Sequence, residues 1–99
     1  MSVSEDLFYA AQAAYSYRGY AIATWEEQSD ETKAGYAKLG DALAALAPID
    51  DVEAAAAAII APISAVIPGG IGLAWDEMKG LSRYNLVLIV EAYQRAVAA

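Results

Sequence analysis

The stretch WEEQSDE gathers Trp25, Glu26, Glu27, Asp30 and Glu31 within seven residues. A carboxylate pair beside an aromatic platform is the equipment of glycosidic-bond hydrolysis: one acid protonates the leaving group while a ring stacks on the sugar. That acid needs a buried, apolar setting to raise its pKa, and the polar residues around Glu26 and Glu27 offer none. The same residues suit a helix start, where acids are favoured by the dipole and a tryptophan packs beneath the first turn. IDDVE, with Asp50, Asp51 and Glu53, offers oxygen ligands for calcium or magnesium. It lacks the alternating ligands and central glycine of a calcium loop and reads as a helix cap. PGGIG resembles a phosphate-cradling loop, but no lysine follows it and the dinucleotide spacing fails. The chain has no histidine and no cysteine. The commonest general base, the commonest metal ligand and any thiolate nucleophile are therefore missing. No catalytic residue, cofactor or metal is expected.

The elements that must position these residues form one domain, because 99 residues suffice for one core and not two. The net charge is −7, four of those charges in residues 1–49 and three in residues 50–99. With no cluster of Lys or Arg there is no counterion release to drive direct nucleic-acid binding, and anionic membrane surfaces are disfavoured as well. The opening MSVSEDLFYAAQ has no basic residue before an apolar run, so no signal peptide is expected. A bacterial host cytoplasm, or a virion assembled there, is the expected location.

VEAAAAAIIAPISAVIPGGIGLAW, Val52 to Trp75, is long enough to cross a membrane. Its strongly apolar residues favour insertion by about 3.5 kcal/mol. Pro62, Pro68, Gly69, Gly70 and Gly72 oppose a continuous helix by roughly 9 kcal/mol. Acids flank both ends, with no cation before Lys79. The stretch is therefore expected to be core, running as a helix, a turn at IPGG and the start of another helix. A short hairpin over AVIPGGIGLA is the alternative.

Four helical segments follow from spacing and caps. The first opens at Ser2, with Glu5 at capping-box distance, and carries the stripe Leu7, Phe8, Ala11, Ala14 and Tyr15. The second is capped by Ser29 and buries Tyr36, Leu39, Leu43 and Leu46. The third takes Asp50 as its N-cap and should end or kink at Pro62. The fourth starts near Ser82, with Leu86, Val90, Tyr93 and Val97 as its main stripe. An offset of 50 residues lays Trp25 over Trp75, Glu27 over Glu77 and Lys33 over Arg83. This spacing predicts an all-α fold, a compact four-helix arrangement from two pseudo-repeated helical hairpins, about 5–47 and 52–98.

The repeated pattern of a small apolar helix, Trp, two acids, Ser or Thr, a cation and Tyr or Leu resembles small helical proteins encoded by tailed phages and prophages. It runs over Tyr15–Leu43 and more faintly over Ile67–Tyr93. Such proteins share no common chemistry, so the resemblance implies a virion component or a small host-modulating protein and assigns no site residue.

The tyrosines are the most informative side chains. On the first helix Tyr9 and Tyr20, with Tyr17 at the edge, point away from the Leu7 stripe; on the fourth, Leu81, Leu88, Ile89 and Ala92 lie outside the main stripe. A helix apolar on two faces needs a second partner, and tyrosine suits interfaces through its area and polar tip. Tyr9, Tyr17, Tyr20, Leu88 and Ile89 are thus the expected interface. The expected function is non-enzymatic binding of other protein chains or of a second copy, as a phage structural or assembly component. Inhibition of a host defence protein is the first alternative, and a membrane-active role for residues 54–75 the second.

Overall fold

Ser2 and Ser29 each stand three residues before a backbone N–H and accept its hydrogen bond, Glu5 N–H at 3.1 Å and Thr32 N–H at 3.1 Å. The helices they start are α1 (Val3–Ala14) and α2 (Asp30–Ala45) in a computed structural model that describes residues 2–16 and 23–98. Next come α3 (Val52–Ala58), α4 (Ile60–Val66), a single 3-10 turn (Trp75–Glu77) and α5 (Leu81–Ala98). The described residues are helical with no strand, which replaces the hairpin alternative with a turn. Among them no helix is long and apolar enough to cross a membrane.

The expected third helix is two helices of seven residues each. Pro62 has no N–H to give to the Ala58 carbonyl, and its ring crowds that same carbonyl. The break falls there: Ile59 N–H turns back to the Ala56 oxygen at 3.3 Å, and the next helix begins at Ile60. The N-cap of α3 is Asp51 rather than Asp50. Its Oδ1 accepts the Ala54 N–H at 3.1 Å. Starting one residue later puts Val52 against the core on the same face as the buried Ala55, Ala56 and Ile59.

The α1 stripe is buried as its spacing requires, from Leu7 through Tyr15. On α2, Tyr36, Leu39 and Leu43 are buried, whereas Leu46 sits at the C-cap and stays exposed. The buried arc of α5 is broader than a single stripe and holds Asn85, Leu86, Ile89, Val90, Ala92 and Tyr93. The cause is tertiary: α5 packs on α1 along one flank and on α3 along the other. The same helix leaves Val97 exposed near its end. Helix α2 lies against α1 and α4, and Met78, between the 3-10 turn and α5, is buried in the same core.

Candidate interaction surface

Tyr9 is half-buried and turned into the fold. Its ring lies 5.0 Å from that of Phe8, and its Oη accepts the Trp25 N–H at 2.9 Å. One turn on, Gln12 pairs both ends of its amide with Ala23, donating to the carbonyl and accepting from the N–H at 3.2 Å each. This flank of α1 therefore anchors the chain that leads into α2, and the Tyr9 hydroxyl expected at a wet rim is already engaged. Tyr17 and Tyr20 lie outside the described residues. Ile89 is 0% exposed and belongs to the core, because α1 covers the flank of α5 that its wheel position left open.

Leu88 keeps partial exposure and gains neighbours that the interface reading missed. Leu81 and Tyr84 are each 56% exposed. Positions 81, 84 and 88 follow i, i+3, i+7 spacing and so form one stripe on the outer face of α5. Farther along, that face becomes polar at Glu91 and Arg95. The sequence signal for Tyr84 is its register with Leu81 and Leu88 on one helix face.

The acidic motifs are engaged in backbone capping. Glu27 Oε1 accepts the Thr24 hydroxyl at 2.7 Å and the Thr24 N–H at 3.2 Å. Those hydrogen bonds, the hydroxyl's first, hold its carboxyl below the usual carboxylate range. A general acid needs the opposite shift. Glu77 repeats the arrangement by accepting the Ala74 N–H at 2.9 Å. A cation covers each indole: Lys33 Nζ sits 5.6 Å from the Trp25 ring, and the Arg83 guanidinium sits 4.4 Å from that of Trp75. Arg83 also donates from Nη2 to the Trp75 carbonyl at 2.9 Å. Among the described residues no group of three or more carboxylates is placed to hold a metal ion. In PGGIG, Gly69 and Gly70 take φ of 81° and 64°, the left-handed region that glycine enters without strain. The loop's N–H groups serve the chain itself, Gly70 to the Ile67 carbonyl and Ile71 to Ser64 Oγ, both at 3.1 Å.

One cavity of about 210 Å³ lies where α1, α2 and the end of α4 meet. Phe8 and Tyr36 border it, their rings 5.6 Å apart and nearly perpendicular at 87°. Ala11, Val66 and Ile67 add apolar wall, and Gln12, Gln28 and Thr32 are polar residues among the lining. Burial, with the Tyr15 phenol as a smaller cause, pushes the Tyr36 hydroxyl up to about 12. The Tyr36 hydroxyl is thus neutral across the physiological range. No family model matches the chain, and no curated protein or solved structure matches it either.

Proposed function

We propose that this chain is a non-enzymatic domain that works by binding protein, a partner or a second copy of itself, through the outer face of α5. One observation carries the reading. Exposed Leu81 and Tyr84, with part-exposed Leu88, form an apolar stripe on α5 in a protein whose net charge of −7 otherwise keeps molecules apart. Tyrosine is enriched at interface centres, and the leucines beside it add apolar area to bury. Within this class the resemblance favours a phage structural or assembly role, in the host cytoplasm or the virion. An acidic inhibitor that imitates nucleic acid would bind a basic partner and weaken steeply with salt, whereas contact through an apolar stripe tolerates salt.

The reading includes two halves, 5–47 and 52–98, as copies of one helical hairpin. Three features support it. Helix α1 packs on α2 and α5, while the pair α3 and α4 packs on those same two helices. Each half has a tryptophan turn closed by a glutamate three residues after the residue it caps. Each tryptophan also lies under a cation eight residues later in the chain.

The test is the double substitution Leu81→Glu/Tyr84→Glu, followed by light scattering and by capture from host extract at low and high salt. The expected result is unchanged helix content and thermal midpoint, with loss of self-association or of salt-resistant capture. A wild-type chain that stays monomeric at high concentration and captures nothing would refute the proposal.

A further inference from the structure

We infer that the cavity between α1, α2 and the end of α4 is a binding site for one uncharged aromatic molecule of about the size of indole. The volume comes first. A closed cavity of about 150 Å³ lined by aliphatic and phenylalanine side chains holds benzene; this pocket, which opens to solvent on one side, measures about 210 Å³. The remaining space suits a second fused ring.

Charge comes second. Among the described residues, none that lines the space is an Asp, Glu, Lys or Arg. A cationic ligand would find no carboxylate in the wall. An anionic one would be desolvated without a partner, inside a protein whose net charge of −7 already repels it.

Part of the polar capacity of the lining is already taken. A buried water needs two to four polar partners. The Gln12 amide is engaged at both ends by Ala23, and Gln28 Nε2 donates to the Thr24 carbonyl at 3.0 Å. Thr32 Oγ1 already accepts the Ser29 hydroxyl at 3.1 Å.

The aromatic preference follows from the rings. Phe8 and Tyr36 stand edge to face in the wall; Trp25, outside the lining, is tilted 5.6 Å from Phe8 and edge to face 6.2 Å from Tyr36. A further ring entering the cavity gains the same edge-to-face contacts, which flat rings prefer at centroid distances of roughly 4.5–7 Å. An aliphatic chain of equal volume fills the space without that gain.

The site is separate from the α5 stripe, so the two proposals fail independently. The experiment titrates the full chain with indole, followed by NMR of the methyl groups. Saturable one-to-one shifts centred on Ala11, Val66 and Ile67 are expected, with a dissociation constant on the order of 1 mM or tighter for a ligand of this size. Indole-3-carboxylate should bind at least tenfold more weakly, and Leu81→Glu/Tyr84→Glu should bind indole as wild type does. Thr32→Met, which projects a longer side chain from the wall, should weaken indole at least tenfold. If Thr32→Met fails to fold, Val66→Ala decides: the enlarged cavity must take naphthalene at least as tightly as the wild type takes indole. Absence of saturation up to the solubility of indole overturns the site. So does equal binding of the carboxylate, an unchanged affinity in folded Thr32→Met, or rejection of naphthalene by Val66→Ala.

Discussion

Two glycines on α2 should respond to the same substitution with opposite signs. In a helix interior, Gly→Ala gains about 0.8–1.0 kcal/mol from propensity alone. At Gly40 an added Cβ would rest 3.7 Å from Leu7 Cδ1 and 3.9 Å from Val3 Cγ1, which is ordinary van der Waals contact with α1. Gly40→Ala should therefore stabilise by roughly 1 kcal/mol. At Gly35 the added Cβ would meet Val66 Cγ1 of α4 at 2.5 Å. Favourable carbon contacts lie near 3.5–4.0 Å, so α2 and α4 must separate by about 1 Å or Val66 must leave its rotamer. Overpacking of this kind costs about 1–3 kcal/mol. Set against the propensity gain, Gly35→Ala should be destabilising by about 1 kcal/mol.

A double-mutant cycle isolates the cause. Val66→Ala removes the crowding methyl groups, so in that background Gly35→Ala should stabilise, with a coupling of about 1–3 kcal/mol between the two sites. Urea unfolding monitored by circular dichroism reads all four corners, and each kcal/mol corresponds to a thermal shift of about 4–8 °C in a domain of this size. If Gly35→Ala stabilised the wild type as much as Gly40→Ala does, the close approach of α2 to α4 would be wrong. The cavity beside Val66 would then lose its wall.

Tyr9→Phe should destabilise the fold by about 1–2 kcal/mol, because the part-buried Trp25 N–H loses its acceptor. Thermal unfolding measures this, and unchanged stability would free Tyr9 for the interface role it was expected to have. Tyr36 sets a pH dependence. Its hydroxyl titrates near 10 in the unfolded chain and at about 12 in the fold. Between those values the unfolded state sheds the proton first, so the Tyr36 contribution to stability is constant below about pH 10 and falls by up to about 3 kcal/mol as pH rises to 12. Tyr36→Phe should remove that part of the alkaline loss, read as the difference between the two unfolding curves at each pH.

Local chemistry was legible in the sequence. Ser2 and Ser29 cap because a hydroxyl three residues before an N–H can reach it in any context. The stripes Leu7–Phe8–Ala11 and Tyr36–Leu39–Leu43 are buried because their spacing gives each helix one apolar side. Pro62 breaks its helix at the residue four before it, a covalent consequence of the ring. What lies on the second flank of a helix was not legible, since it depends on which neighbour arrives there. Helix α5 meets both α1 and α3, so Ile89 is core although its wheel position lay outside the main stripe. Tyr9 of α1 was expected to face a partner, yet its ring packs on Phe8 and the chain returning through Trp25 takes its hydroxyl as an acceptor. The cavity likewise exists only in three dimensions. Phe8, Tyr36 and Val66 are far apart in the chain, and only the crossing of α1, α2 and α4 sets their rings and methyls around one space.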